Sequence, residues 1–445
     1  MQPRGTGAIP LPPRPNLEQY HNRAKSLVKA CCSGEPAAVR NWARQWLDAL
    51  AALHDAGDTA NTPRNLERKH IDREVEEIEK DAREGGLTSD NGSGSCSLAD
   101  AQLFLARLHD FASWPKFAKH IQELASASSP DSEFERAADA VVTGDATTLA
   151  ASLRENPALV QAHSARDHGA TLLHYIAANG HEGYRQKSPR NAVEIARLLL
   201  DAGAQPDALA HMYGVDTTPM DMLVSSAPPD IAGVQVPLVH TLVDYGAAVN
   251  GPEDNESPIM TAFRFHYPLA AQALAARGAR VDNVITAAAL GRVELVDAFV
   301  TDDGSLEPEV PLVNVRWPRL PCDPKVHLAY ALTWAATWGR ADVVELLLRK
   351  GVDPNGKDDD ASALHFAAAH GHMDIVRLLM KYGASLETRN TYDGTVLSGV
   401  LWYAYNAPVP GVSYSAVVRA LLEAGARVDV YPEMQGYVDE VLQRG

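Results

Sequence analysis

Six short apolar segments along the chain share one pattern of hydrophobic and polar positions. Each carries Leu or Ala at helical spacing, as in ARLLLDAG (196–203), and each ends on a glycine that is followed four positions later by Asp, Asn or Glu. Apolar residues at intervals of three and four predict an amphipathic helix, and the glycine predicts the left-handed cap that ends it. The six glycines are Gly203, Gly246, Gly278, Gly351, Gly383 and Gly425.

The spacing of these glycines predicts a repeated unit. Gly246 and Gly278 are 32 residues apart, as are Gly351 and Gly383, and the long gap before Gly351 holds a further helix pair at 283–300. A second segment precedes some of the capped helices. TLLHYIAANGH (171–181) and SALHFAAAHGH (362–372) both begin with a helix-capping hydroxyl, place His three residues later and close on Gly-His.

These segments together resemble the ankyrin repeat, whose period is about 33 residues. The resemblance spans 134–430 and implies an all-α fold: a solenoid of about eight helix-pair units, in which stacking buries faces that no unit can bury alone. Before it, the segments LADAQ (98–102) and SWPKF (113–117) resemble a helical module that precedes ankyrin arrays in bacterial proteins. We know of no activity that this second resemblance implies.

We expect five segments along the chain. They are a disordered N-terminus (1–14), a helical module with a flexible joint near 86–96 (15–125), a linker (126–133), the repeat array (134–430) and a C-terminal capping helix (431–445).

Composition excludes several classes of function. The 445 residues carry 40 Lys and Arg against 57 Asp and Glu, so the net charge of −17 disfavours nucleic-acid binding. No apolar run is long enough to span a membrane, and the Pro-rich N-terminus does not look like a signal peptide. The four cysteines are too few to form a disulfide framework and lack the spacing of a zinc site, which fits a cytoplasmic location. They are Cys31, Cys32, Cys96 and Cys322.

Candidate binding residues come from the C-terminal ends of the first helices, which line the concave side of an ankyrin array. The residue before the closing glycine, or its equivalent, is large and aromatic or His in several units, and the preceding position adds two more candidates. Aromatic residues dominate binding hot spots, although these rings could instead pack between neighbouring units. The candidates are Phe265, Trp338, His370 and Tyr403, with Arg264 and Trp402 from the preceding position.

Four insertions could roof part of this surface. They lie at 182–191, 226–236, 301–326 and 406–414, and insertions on one face of a repeat protein often mark the binding face. Tyr184 and Arg185, with Arg264, could there contact an anion. Trp317 and Arg319 lie in the Pro-rich insertion and could fold over the groove.

Most of the notable histidines are expected to have structural roles, and one is a candidate for acid–base catalysis. His174 and His365 occupy the position at which ankyrin repeats use His to tie the loop together, whereas His370 lies outside any such position and is the acid–base candidate. His266 stands where a closing glycine is expected, and Asp221 stands where the His is expected. No nucleotide-binding, hydrolase or metalloprotease motif is present, so we expect no cofactor and no metal.

Two acidic loop clusters could steer a basic partner. They are Glu253, Asp254 and Glu256, and Asp358, Asp359 and Asp360.

The leading functional hypothesis is a non-catalytic cytoplasmic module that binds a protein or peptide on the concave face. The alternative is a small-molecule site or an enzyme in a groove roofed by the four insertions, with His370 as the acid–base residue. A scaffolding role through the N-terminal helices is the third. We expect no nucleic-acid or membrane partner.

Overall fold

The computed structural model describes residues 8–12, 15–35, 37–55, 64–88, 96–124, 129–252, 257–313, 320–428, 430 and 433–444. The chain forms two compact units that divide between Gly251 and Pro252, inside the segment expected to be one continuous array. The helices of unit 1 are α1 Leu17–Cys31, α2 Ala38–Asp55, α3 Arg64–Glu84, α4 Leu98–Leu108, α5 Trp114–Leu124, α6 Pro130–Thr143, α7 Ala146–Glu155, α8 Leu172–Tyr175, α9 Ala192–Asp201, α10 Pro219–Leu223, α11 Ala227–Ile231 and α12 Gln235–Asp244.

Unit 2 is built from helices alone in its described part, and its last helix packs on the pair before it. These helices are α13 Pro258–Arg264, α14 Pro268–Ala276, α15 Val284–Leu290, α16 Val293–Phe299, α17 Pro324–Thr337, α18 Ala341–Arg349, α19 Ala363–Ala369, α20 Met373–Lys381, α21 Val396–Asn406, α22 Tyr414–Glu423 and α23 Met434–Arg444. Unit 1 also holds a small antiparallel hairpin of β1 Ala210–Met212 and β2 Val215–Thr217. The all-α fold class is confirmed, with this hairpin as one loop between helices.

The N-terminal helices α1–α5 pack around an aromatic and aliphatic core that includes Trp46 and Phe117. The predicted cap of α4 is present, because Ser97 and Asp100 bond to each other's backbone amides in a capping box. Ile9, in the segment expected to be disordered, is buried, and its amide donates to the Leu108 carbonyl at 2.7 Å. Its side chain fills the module core, which explains the difference.

The expected joint and linker lie only partly within the described residues. Positions 89–95 and 125–128 fall outside them. Leu87 is buried, and α6 begins at Pro130, inside the expected linker. The Ser129 hydroxyl accepts from the Ser132 amide, and proline is favoured at the first helical position, so the helix starts earlier than expected.

The glycine-capped helices form as predicted. All six glycines have positive φ, between 89° and 100°, and each follows the last turn of the second helix of a pair. The pairs are α8 with α9, α10 with α12, α13 with α14, α15 with α16, α17 with α18, α19 with α20, and α21 with α22.

His174 and His365 have the structural role expected of them. The Thr171 hydroxyl lies 2.9 Å from His174 Nδ1, and His174 Nε2 lies 3.3 Å from the Thr217 carbonyl in the next repeat. Burial lowers the pKa of His174 to about 4, so the ring is neutral near pH 7. Asp221 replaces the histidine by capping α10 with its carboxylate, which accepts from the Thr218 amide at 3.0 Å.

In four repeats, a side chain donates a hydrogen bond to a carbonyl at the end of the first helix of the preceding repeat. We call these four bonds the donor series. Each accepting carbonyl lies two residues before a closing glycine, where a helix end leaves it without an intrahelical partner. The bonds run from Ser226 to Ala178 at 3.2 Å, Arg340 to Ala289 at 2.9 Å, His372 to Thr337 at 3.1 Å and Tyr414 to Ala369 at 3.1 Å.

Candidate functional site

Five rings from four helix pairs of unit 2 form a continuous row, which we call the ring row; the pair of α15 and α16 contributes no ring to it. The ring centroids of His266 and Trp338 are 5.6 Å apart, and those of Trp338 and His370 are 6.4 Å apart. Tyr403 continues the row at 6.0 Å from His370, and Trp402 ends it at 5.3 Å from Tyr403. The structure therefore brings together four of the predicted residues: Trp338, His370, Tyr403 and Trp402.

Local helix geometry places these rings. Trp338 and His370 are the C-caps of α17 and α19, so each ring stands at the open end of a first helix. Tyr403 and Trp402 lie within α21, which continues to Asn406, the first residue of the insertion. Trp402 is 55% exposed, whereas Trp338, His370 and Tyr403 are partly buried.

The predicted residues Phe265 and Arg264 lie beside the row. Phe265 is the C-cap of α13 and is 50% exposed, while the next residue, His266, supplies the ring that contacts Trp338. Arg264 ends α13 and is partly buried. Sequence reasoning did not assign His266 to the site. The signal was the missing glycine at that position.

The insertion at 406–414 forms one wall of a cleft of about 500 Å³ beside the ring row. Tyr414 fixes this wall, because its hydroxyl accepts from the Val409 amide at 3.0 Å and donates to the Ala369 carbonyl. Val412 packs so closely on Gly371 that an added Cβ there would lie 2.9 Å from its methyl group. The lining residues include Trp338, His370, His372, Met373, Pro410 and Val412.

The surroundings of His370 suit packing more than proton transfer. Its Nδ1 donates to the Phe366 carbonyl at 2.9 Å, and burial lowers the pKa of the imidazole. Its ring neighbours are Trp338, Tyr403 and His372. Within the described residues, no three His, Cys, Asp or Glu side chains are grouped so that they could hold a metal ion.

Trp338 carries a polar atom without a partner. Its Nε1–H is buried and makes no hydrogen bond to any described part of the chain. A buried donor of this kind gains free energy when an acceptor reaches it.

The acidic loop at 358–360 acts on the ring row electrostatically. The Asp358 carboxylate accepts from the Asp360 and Ala361 amides at 2.9 Å each, and burial raises its pKa to about 6. Burial raises the pKa of Tyr403, and the negative charge of the exposed Asp360 adds to this effect. Burial lowers the pKa of His266, and the Asp360 charge opposes this effect. The other acidic cluster, Glu253, Asp254 and Glu256, lies outside the described residues.

Tyr184 and Arg185 lie in unit 1, in a buried network of charged groups. Arg185 contacts the Glu135 carboxylate and the Asp139 carboxylate at 2.7 Å each, and the Glu182 carboxylate at 3.4 Å. The Tyr184 hydroxyl accepts from the Arg166 guanidinium at 3.1 Å. The Arg185 guanidinium is therefore already paired with carboxylates, and its geometry does not support the expected contact with an anion.

The other insertions contribute less to a site. The insertion at 226–236 carries the short helix α11 in unit 1. The last residues of the insertion at 301–326 are helical, because Asp323 caps α17 by accepting from the Lys325 amide at 2.9 Å. Trp317 and Arg319 lie outside the described residues. None of the described helices has the length and apolar character needed to cross a membrane.

Comparison with known proteins identifies the repeats. The family model described as "Ankyrin repeats (3 copies)" matches residues 284–390 and 332–431, and the model "Ankyrin repeat" matches residues 168–211. A search of curated proteins finds no significant match.

Two solved structures illustrate the structural similarities. The human ASB11 ankyrin repeat domain is 19% identical, with a TM-score of 0.34 over 65% of this chain and 98% of that one. The ankyrin repeat domain of Bcl-3, a member of the IkappaB family, is 19% identical, with a TM-score of 0.29 over 59% of this chain and 92% of that one. The glycine-capped helix pairs and the family matches lead to the same conclusion: this chain is an ankyrin-repeat protein.

Proposed function

We propose that the protein is a non-catalytic binding module whose second unit holds a protein or peptide partner on the concave face of the repeats, at the ring row and its cleft. Ankyrin repeats are in general protein-interaction modules, which supports the class of partner. The continuity of the ring row carries the assignment to this surface. Partly exposed rings on three successive helix pairs, flanked by Phe265, offer the large apolar area on which hot spots depend.

The scaffold supports the proposal because it holds the rings in place before a partner arrives. The first helices α17, α19 and α21 are buried along most of their length, and the donor series joins neighbouring repeats. A surface that is already ordered loses little conformational entropy on binding.

The alternative of a roofed small-molecule or catalytic site has less support. Arg185, expected to hold an anion there, is buried among carboxylates in unit 1, and the contacts of His370 are rings and a backbone carbonyl. A cytoplasmic location remains a prediction from the cysteine content.

The experiment compares partners captured by the full chain and by a double variant, Phe265→Ala with Trp402→Ala. Both side chains are at least half exposed, so folding should be preserved. Leu269→Ala is the matched control, because Leu269 is 63% exposed in the same unit but lies on the second helix α14. We expect quantitative mass spectrometry after cross-linking to show partners lost by the double variant and kept by the control. Equal capture by all three proteins would contradict the proposal.

A further inference from the structure

The spacing of the ring row is slightly shorter than the repeat of an extended peptide. Successive centroids from His266 to Tyr403 are 5.6, 6.4 and 6.0 Å apart. In an extended strand, side chains on one face recur every second residue, about 6.4–6.8 Å. Alternate residues of a partner strand would therefore meet successive rings.

The rings keep faces that a ligand could contact. Neighbouring planes in this part of the row are inclined by 53–60°, so the rings of the row do not cover one another by face-to-face stacking. One face of His370 is covered, because it stacks on His372 with centroids 6.2 Å apart.

The loop near the row carries exposed carboxylates, and one cation, Arg264, also lies beside the row. Asp359 and Asp360 are exposed, and Asp360 influences the ionisation of two members of the row, His266 and Tyr403. The whole chain carries a net charge of −17, which attracts cations over a longer range. A guanidinium or ammonium group gains both from a ring face within about 6 Å and from a nearby carboxylate.

We infer that the partner segment is basic and binds extended along the ring row, with Arg or Lys at alternate positions facing the rings and Asp360 beside them. This inference rests on the proposed function and specifies its partner.

The first experiment measures the binding of fluorescent peptides to the full chain by anisotropy. One peptide alternates Arg and Ser, and its control has the same composition with all Arg in one block, so both carry the same charge. The alternating peptide should bind at least about threefold more tightly, because more of its cations reach ring faces. Equal affinity for the alternating and the block Arg peptides would overturn the inference. Equal affinity for the alternating Arg-Ser peptide and an alternating Glu-Ser peptide would overturn it as well.

The second experiment uses variants of the protein with the alternating peptide. His266→Gly removes one ring and restores the glycine usual at that corner, and Asp360→Asn removes the charge but keeps the acceptor of the Thr391 hydroxyl. Each should weaken binding about threefold. Glu345→Gln, at an exposed position on α18, should leave it unchanged. Unchanged binding by both site variants would overturn the inference.

The two proposals fail in different ways. If the alternating peptide does not bind but partner capture still depends on Phe265 and Trp402, the basic segment is wrong and the proposed function stands. If the alternating peptide does not bind and partner capture does not depend on Phe265 and Trp402, the basic segment and the proposed function are both wrong.

Discussion

At the scale of single residues, His266 is the departure from the repeat pattern with the clearest effect. Its φ is +64°, whereas the equivalent closing positions at Gly291, Gly339 and Gly371 have glycine at 69–75°. A side chain with a Cβ is disfavoured in this left-handed region by about 1 kcal/mol or more. The ring is therefore held against Trp338 at a cost in stability, which is typical of a residue with a role in binding.

We predict that His266→Gly is more stable than His266→Ala by about 1 kcal/mol, because both lose the ring and only alanine keeps the left-handed strain. Urea unfolding of the full chain measures the difference. If the two variants unfold at the same urea concentration, the strain assigned to this position is wrong.

Single residues also show what the sequence could predict at the site. Trp338, His370, Tyr403 and Trp402 were predicted to share a surface because a repeat places equivalent positions together, and they do lie together. His266 was not assigned to this surface because its contact is with the Trp338 ring of another repeat, which no local pattern indicates. The carboxylate partners of Arg185, on α6 and at Glu182, could not be predicted for the same reason.

At the scale of elements, the donor series explains how neighbouring repeats join. Each bond satisfies a carbonyl that a helix end would otherwise leave without a partner. Tyr414 has a second task, because the same hydroxyl accepts from the Val409 amide and so fixes the insertion that lines the cleft.

We predict that Tyr414→Phe lowers the free energy of unfolding by about 1–2 kcal/mol, because it removes a hydrogen bond and leaves a buried carbonyl unpaired. Hydrogen exchange at the Val409 amide should also become faster. Tyr392→Phe, at a highly exposed position, should change neither. Unchanged exchange at Val409 would show that the hydroxyl does not hold the insertion.

Element ends were predictable where the signal is local. The six glycine caps and the Ser97–Asp100 box follow from a few adjacent residues, and they formed as expected. The insertion expected to end at 326 ends earlier, because α17 begins at Pro324 after the Asp323 cap, a signal that was not used in setting its bounds.

At the scale of the whole molecule, buried charges join the N-terminal helices to the first repeats within unit 1. Arg166 bonds the His109 carbonyl at 3.0 Å, and its guanidinium contacts the Glu182 carboxylate. Arg185 completes the network with Glu135. Sequence reasoning placed a linker at 126–133 between a helical module and the array. These long-range pairs, which no spacing reveals, lie within unit 1, which extends to Gly251.

The same region predicts how stability depends on pH. His181 is buried against Tyr175, with centroids 4.4 Å apart, and burial lowers its pKa to about 3. The unfolded chain takes up a proton below its ordinary pKa near 6.5 while the folded chain does not, so stability falls as pH drops from about 6.5 towards 3. The Glu135 carboxyl, whose pKa the nearby Arg185 and Arg166 guanidinium groups lower to about 2 against the effect of burial, adds a further loss below about pH 4.5.

We predict that His181→Phe reduces the loss of unfolding free energy between pH 7.5 and 5.0 by about 2 kcal/mol relative to the unmodified protein. Urea unfolding at the two pH values measures this. If His181→Phe keeps the original pH dependence, burial of this imidazole is not its source.

The buried network also bears on the order of events during synthesis. The His109 carbonyl and the His120 imidazole are made early, but their partners, the Arg166 guanidinium and the Glu135 carboxylate, follow in the repeats. Domains fold from the N-terminus as they leave the ribosome. Here the first helices emerge with polar groups whose partners do not yet exist, so we expect their final packing to wait until the chain through Arg166 has been translated.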